Sequence, residues 1–310
     1  MNKLNVIYIA GVGRSGSTIL DQMLGQIPGI CSLGEVAQLW QKTIPNNAPC
    51  GCGTVITQCP LWGPVLKHLL EGPDSNSCIQ RRIEILELDK TFPRFHRLFK
   101  TNKYVEAYVK HMHFLQKLYT TVQERTNAIY LVDSSKESYY ASLINRIPNM
   151  SLHVIHLVRN PLGYAYSLKK TKWDPAQNRL MCKRSPVQAA GRWLWVNSRV
   201  ESLRSKVNSF TQVKYEDLIA RPRKLLVEIL QAVGYRRNIK LDFINNRVLK
   251  LKPTHSAAGN PCRYKKHEIH LSLDEEWKTH LNFKDRYLAN ILTLPLARKY
   301  SYFTLKKPLK

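Results

Sequence analysis

Near-continuous apolar runs of strand length alternate along the chain with segments of helical periodicity. Residues 5–10 (Asn5-Val-Ile-Tyr-Ile-Ala10), 129–132 and 152–158 are such runs, the pattern of strands buried on both faces of a parallel sheet. After the first, Ile19, Leu20, Met23, Leu24 and Ile27 recur at helical spacing, and Pro28-Gly29 is expected to end that helix. Tyr104, Tyr108, Met112, Leu115, Tyr119 and Val122 trace a long amphipathic helix. Another follows Arg159-Asn160-Pro161 from about residue 162. Ser185-Pro186 opens one bearing Val187, Ala190, Trp193, Leu194, Asn197 and Val200, and Leu225, Leu226, Ile229, Leu230 and Val233 form one stopped by Gly234. Strands alternating with helices predict an α/β fold: a doubly wound parallel sheet, helices on both faces, ligands at the carboxyl ends of the strands. Residues 28–34 make a poor strand, and residues 42–100, rich in proline and without a clean period, read as an insertion or cap. A single domain over 1–310 is expected.

Composition narrows the class. Hydrophobic residues make up 44% of the 310, with 6 Trp, 15 Tyr and 8 Phe, enough for a sizeable core, which excludes disorder and a small disulfide scaffold. No stretch approaches the ~20 apolar residues of a transmembrane helix, and the run at 5–10 leads into a glycine turn rather than a cleavage site, so a cytoplasmic protein is expected. With 48 Lys+Arg against 22 Asp+Glu the net charge is +26, which calls for an anionic partner: nucleic acid, anionic lipid or a phosphorylated small molecule. The positives are spread out and no nucleic-acid-binding signature accompanies them, so charge speaks only weakly for nucleic acid. Cys50, Cys52 and Cys59 cluster as C-x-C-x6-C, but the cluster lacks the second Cys/His pair that a structural zinc site usually takes, and reads as reduced thiols.

The candidate chemistry begins at Gly11-Val-Gly-Arg-Ser-Gly16-Ser-Thr18. As a literal G-x-G-x-x-G with an acid, Glu35, about twenty residues on, it admits a dinucleotide-binding reading, that of an NAD(P)-binding oxidoreductase; the acid should then follow a true second strand. As a Walker A loop it carries Ser17 where the lysine belongs, which argues against ATP or GTP hydrolysis. Successive backbone N–H groups, the hydroxyls of Ser15, Ser17 and Thr18, and a helix N-terminus still suit an anion, with Arg14 as a cation inside the loop.

That loop, following a strand and opening a helix, resembles the 5′-phosphosulfate loop of the PAPS-dependent sulfotransferases. Leu157-Val-Arg159-Asn-Pro161 with Ser167 eight residues past the Arg is similar to the family's 3′-phosphate motif. Val213-Lys-Tyr215-Glu-Asp-Leu218 resembles the segment whose Tyr lies near the adenine, and Gly259-Asn-Pro-Cys-Arg263 the C-terminal loop that folds over the nucleotide. Cys50-Gly-Cys-Gly53 and Leu292-Thr-Leu-Pro-Leu296 are similar to segments of bacterial members. The ordered set spans residues 6 to about 300.

The resemblance implies a P-loop-like sulfotransferase that moves a sulfuryl group from PAPS to a hydroxyl or amine and releases PAP, with no metal. It implies that Gly13, Arg14, Ser15, Gly16, Ser17 and Thr18 hold the 5′-phosphosulfate and that Arg159, Ser167, Tyr215 and Arg263 hold the rest of the nucleotide. In the tyrosylprotein branch the base lies in a Gly-Glu pair twenty-one residues after the loop Arg; here that is Gly34-Glu35. Lys136 matches the second cation on the transferring group, and Ser134 and Ser135 could bind sulfate oxygens or cap the next helix. His111, His113, His153, His156 and His255 remain alternative bases. The acceptor, expected to be shaped by residues 36–130, is implied only as a class, since bacterial members act on natural products, glycans or lipids.

Overall fold

The computed structural model describes residues 3–70, 102–171, 173–174, 179–180, 183–264 and 268–303. The insertion beyond residue 70, the side chains of Tyr104 and Tyr108, and Cys78 and Cys182 therefore lie outside the described residues. Five parallel strands form the central sheet: β1 (Leu4–Ala10), β2 (Ile30–Gly34), β3 (Tyr130–Lys136), β4 (Met150–Val158) and β5 (Ser209–Lys214), in the order β2-β3-β1-β4-β5. The chain moves from β1 to the far edge, returns through β3, then crosses to β4. The connections thus leave β1 and β4 in opposite directions, which is a topological switch point.

The alternation of β1 shows how the sheet is covered. Val6, Tyr8 and Ala10 enter one core cluster while Ile7 and Ile9 enter another, all fully buried. The first cluster receives α2 (Trp62–Leu70), α3 (Asn102–Thr126), α4 (Ser138–Ile144), α5 (Pro161–Lys169) and α6 (Pro186–Glu201) through residues such as Trp62, Tyr119, Tyr140, Tyr164 and Trp193. The second receives α1 (Ser17–Leu24), α7 (Tyr215–Ala220) and α8 (Pro222–Ala232) through Leu20, Leu218 and Leu226. Helices on both faces of a parallel sheet are the architecture the apolar runs predict. Ser185 caps α6 in a full capping box with Gln188, followed by Pro186 in the first turn.

Three local expectations are corrected. Helix α1 stops at Leu24, capped by Gly25, so Ile27 is buried beyond the helix rather than on it. Residues 30–34 form a true strand, paired in parallel with β3, although Ser32 and Gly34 interrupt their apolar run. A segment at residues 254–259 lies along the edge that β3 leaves open: Ala257 N–H donates to the Leu33 carbonyl (2.7 Å), and Glu35 N–H donates to the Ala258 carbonyl (3.0 Å). The ladder with β3 on one side and these hydrogen bonds on the other hold a segment whose own pattern is interrupted by Ser32 and Gly34. Strand β3, finally, runs past Val132 to Lys136, carrying Asp133 into the core. Tyr119 Oη donates to Asp133 Oδ2 (2.5 Å) and Ser135 N–H to Oδ1 (2.8 Å); burial nonetheless pushes this carboxyl up to about 6.

A second buried carboxylate joins three elements. Asp21 of α1 accepts from Ser32 of β2 and from Ser256 of the covering segment (3.2 Å). Thr254 Oγ1 and Ser256 Oγ lie 2.9 Å apart beside them. Among the described residues no helix is long and apolar enough to cross a membrane.

Asp21 generates a pH prediction. Burial raises its carboxyl from 3.8 to about 7, against the hydrogen bonds from Ser32 and Ser256. The folded chain thus holds this proton more tightly than the unfolded chain. The group's contribution is present in full below the unfolded value and is lost as the pH rises through the folded one. Urea unfolding across this window should therefore show Asp21→Asn gaining stability relative to the parent as pH rises from about 4 to about 7. Parallel pH profiles for the two proteins would contradict the assignment.

Candidate functional site

The site lies where β1 and β4 end. Beyond Ala10 the chain turns sharply through residues 11–16, with Arg14 at φ 65° and Gly16 at φ 86°, both left-handed. Gly16 is needed for space as well as φ, since a Cβ there would stand 3.1 Å from the Tyr215 ring and 3.3 Å from Leu218. The turn delivers Ser17 and Thr18 as the first residues of α1, so their backbone N–H groups end the helix facing the cleft. Ser15 is fully buried behind the loop, and its hydroxyl has no hydrogen-bond partner among the described residues.

Arg159 is the first residue beyond β4. Asn160 then caps α5, accepting from the N–H groups of Leu162 (2.9 Å) and Gly163 (3.4 Å), with Pro161 in the first turn. The Arg159 side chain turns back across the switch point. Its Nη1 donates to the Arg14 carbonyl (2.7 Å), its Nη2 to Asp274 Oδ2 (3.1 Å), and its guanidinium lies 4.6 Å from the Tyr215 ring centroid. Burial works against ionising Asp274, but Arg159 and Lys170 hold its carboxyl below the usual range. Ser167 is buried, its hydroxyl donating to the Tyr164 carbonyl (2.7 Å).

Glu35 directly follows β2, and Lys136 is the last residue of the neighbouring strand β3. Glu35 Oε1 and Lys136 Nζ form an ion pair at 2.5 Å, each side chain 17% exposed. Lys136 Nζ also donates to the Ser134 carbonyl (3.2 Å), and Lys136 itself has φ 71°. Gly34, at φ 72°, lets the covering segment approach; a Cβ there would stand 2.5 Å from the Ala258 carbonyl oxygen. Neither Ser134 nor Ser135 caps the next helix, whose N-cap is Glu137. The Ser135 hydroxyl instead accepts from Ala37 N–H (2.9 Å) and donates to Asp133.

The covering segment continues through Gly259, which abuts Thr18 and Glu35, to Asn260, whose N–H donates to Thr18 Oγ1 (3.3 Å). Arg263 is placed differently from the other sequence-predicted residues. Its guanidinium donates to the carbonyls of Gly259 and Pro49 (3.4 Å for the latter) and packs 4.4 Å from the Tyr264 ring centroid. It braces the segment and does not line the cleft. Leu292-Thr-Leu-Pro-Leu296 likewise stands apart, inside a helix at Phe283–Lys299.

Together these elements enclose a cleft of about 700 Å³. Gly13, Arg14, Gly16, Ser17, Thr18, Glu35, Lys136, Arg159, Ser167 and Tyr215 all line it, whereas Ser15 and Arg263 do not. Sequence reasoning missed Lys42, Arg184, Arg192 and Asp274, which come from separate parts of the chain and belong to no motif. Six cations (Arg14, Lys42, Lys136, Arg159, Arg184, Arg192) face three acids (Glu35, Glu137, Asp274), so the cleft favours a polyanion of nucleotide size. No histidine among the described residues lines it. His156 contacts Asn197 (2.8 Å), His153 contacts Ser209 (2.9 Å), and His255 lies beside Cys59.

No family model and no curated protein matches the chain. Solved structures do. The sulfotransferase domain from the Synechococcus PCC 7002 olefin synthase is 19% identical, with TM-score 0.55, covering 98% of this chain and 96% of its own. The sulfotransferase domain from the curacin biosynthetic pathway is 18% identical, with TM-score 0.53, covering 98% and 99%. Over nearly its whole length, the chain has the fold of these sulfotransferase domains, with its cleft at the switch point of the sheet.

Proposed function

We propose that the protein is a PAPS-dependent sulfotransferase that moves a sulfuryl group onto the hydroxyl or amine of a small molecule and releases PAP. The observation that carries this reading is the Glu35–Lys136 ion pair beside a glycine-turned loop with an internal arginine and no Walker lysine. Such a loop suits one terminal sulfuryl-phosphate better than a triphosphate. The donor set of the cleft fits PAPS, whose two phosphate positions and sulfate need cations at separate points. The backbone N–H groups of the loop, the hydroxyls of Ser17 and Thr18, and Arg14 would hold the 5′-phosphosulfate. Arg159, whose fork suits bidentate phosphate contact, would hold the 3′-phosphate with Ser167.

In the transfer, a bond forms from the acceptor oxygen or nitrogen to sulfur while the bond from sulfur to the bridging oxygen breaks. The acceptor's proton goes to Glu35, and the electron pair of the broken bond stays on the phosphate. Lys136 and Arg14 stabilise charge on that leaving oxygen. Glu35 Oε1 is held by Lys136, which fixes the carboxylate and would leave its second oxygen for the acceptor's proton. Residues 36–130 would shape the acceptor's pocket.

The oxidoreductase reading is weaker. Glu35 does follow a strand, but β3 lies between β2 and β1. In dinucleotide-binding sheets the acid-bearing strand is next to the first.

Ligand calorimetry and turnover kinetics test the reading. Calorimetry should find PAP binding at micromolar affinity or better, with NADH and an oligonucleotide giving no comparable binding. Arg159→Ala should weaken PAP at least about tenfold, because a charge-assisted phosphate contact is worth ~1.5–3 kcal/mol. AMP, which has no 3′-phosphate, should lose less affinity than PAP, keeping only the part of the effect that Arg159 exerts through the Arg14 loop. Unaltered PAP binding would remove Arg159 from the site. With an acceptor found by screening metabolite pools against radiolabelled PAPS, Glu35→Gln should keep PAP affinity yet lower kcat by ~10²–10⁴. Lys136→Ala should lower kcat by a route that a better leaving group relieves, unlike that of Glu35→Gln. Full turnover by Glu35→Gln would exclude the base assignment.

A further inference from the structure

The sequence reading left the cysteine cluster without a fourth partner, and the fold supplies one. Cys50-Gly-Cys-Gly53 forms a tight knuckle in which Cys50 N–H donates to the Thr54 carbonyl (2.8 Å) and Gly53 N–H to the Cys50 carbonyl (2.9 Å). Cys59 follows one short helical turn, just before α2. His255, 196 residues further along, enters from the covering segment and brings its Nδ1 to 3.3 Å from Cys59 Sγ. Cys59 Sγ lies 3.5 Å from Cys50 Sγ and 3.8 Å from Cys52 Sγ. All four donor atoms fall within 4.8 Å of one another. Cys50 and Cys59 are buried, and Cys52 and His255 half-buried.

These separations identify the chemistry. A tetrahedral zinc with Zn–S of ~2.3 Å and Zn–N of ~2.0 Å sets its ligand atoms ~3.5–3.8 Å apart. Disulfide sulfurs would be ~2.05 Å apart. Three thiols and an imidazole make a soft donor set suited to zinc, and four protein ligands leave no open position. The surroundings are built to hold the ligands. Gly51 N–H donates to the Ser256 carbonyl (3.0 Å), and Trp62 Nε1 to the His255 carbonyl (2.6 Å). A Cβ on Gly51 would stand 2.6 Å from the Thr254 carbonyl oxygen.

The geometry points to a structural zinc site formed by Cys50, Cys52, Cys59 and His255, which fastens the covering segment to the knuckle. His255 lies four residues before Gly259, where the segment meets Thr18 and Glu35. Fixing His255 therefore fixes the wall of the cleft. The proposal rests on the four ligands and their distances, independently of the transfer chemistry.

Elemental analysis of the full chain, purified without chelator, tests it directly. An equimolar zinc content is expected, and X-ray absorption at the zinc edge should give a shell of three sulfurs near ~2.3 Å and one nitrogen near ~2.0 Å. Zinc should fall to under a tenth of an equivalent in Cys59→Ser and His255→Ala and be kept in Cys31→Ser. Cys52→Ser alters a half-buried ligand and should weaken zinc retention against a chelator while the chain stays folded. Chelation should also raise amide exchange at residues 254–263 at least severalfold over that in β4. Wild-type protein that neither contains zinc nor takes it up from zinc chloride would overturn the proposal, as would a Cys50–Cys59 disulfide in the isolated protein. Zinc bound with no change in exchange at 254–263 would overturn its role as a fastening. Zinc content and PAP binding are read separately, so either can fail without the other.

Discussion

The parallel ladder between β1 and β4 runs from Leu4 opposite Met150 to Ala10 opposite His156, and the site hangs from the point where it stops. β1 ends there and β4 two residues later, their connections diverge, and two backbone turns are left side by side. Arg159 then donates across the gap to the Arg14 carbonyl, so a cation from one turn supports the loop of the other. A single hydrogen bond of this kind contributes modestly in exposed settings. Here Arg159 is 5% exposed, its guanidinium shared with Asp274 and set over the Tyr215 ring, so removing it would strand several buried groups.

On the other side of β1, two buried carboxylates perform a structural task. Asp133 anchors Tyr119 of α3 and the backbone at Ser135, one residue before Lys136. Asp21 binds Ser32 and Ser256, joining α1, β2 and the covering segment. Both lie beneath the ends of the strands that carry the ion pair. The polar groups that position Glu35 and Lys136 are thus placed in the core, where unmet hydrogen bonds are expensive and alternative arrangements few.

The covering segment at 254–259 completes the edge of β2, accepts from Glu35 N–H, and brings Gly259 against the loop. Its own fastening comes from three directions: Asp21 below, Arg263 beyond, and the cysteine knuckle with His255 outside. A cleft wall held this way keeps its shape without a large apolar interface of its own.

How much of this was legible along the chain depended on the range of the physics involved. The alternation of β1, the loop's glycines with Arg14 and the capping box at Ser185 are local features, and local hydrogen bonding and sterics set them. From them follow the parallel sheet and the gathering of Arg14, Thr18 and Arg159 at strand ends. Residues 30–34 form a strand because β3, about 100 residues away, pairs with them and a segment more than 200 residues away hydrogen-bonds to their open edge, contacts no local pattern contains. Arg263 was predicted to face the ligand, yet it turns to backbone carbonyls that exist only once residues 49 and 259 are brought together. Lys42, Arg184 and Arg192 enter the cleft from elements whose own periodicity says nothing of where they point. The partner of the cysteine cluster was hidden for the same reason. Short-range patterns determine which elements form and what each strand end offers; which ends meet is decided by closure of the whole core, where distant residues become neighbours.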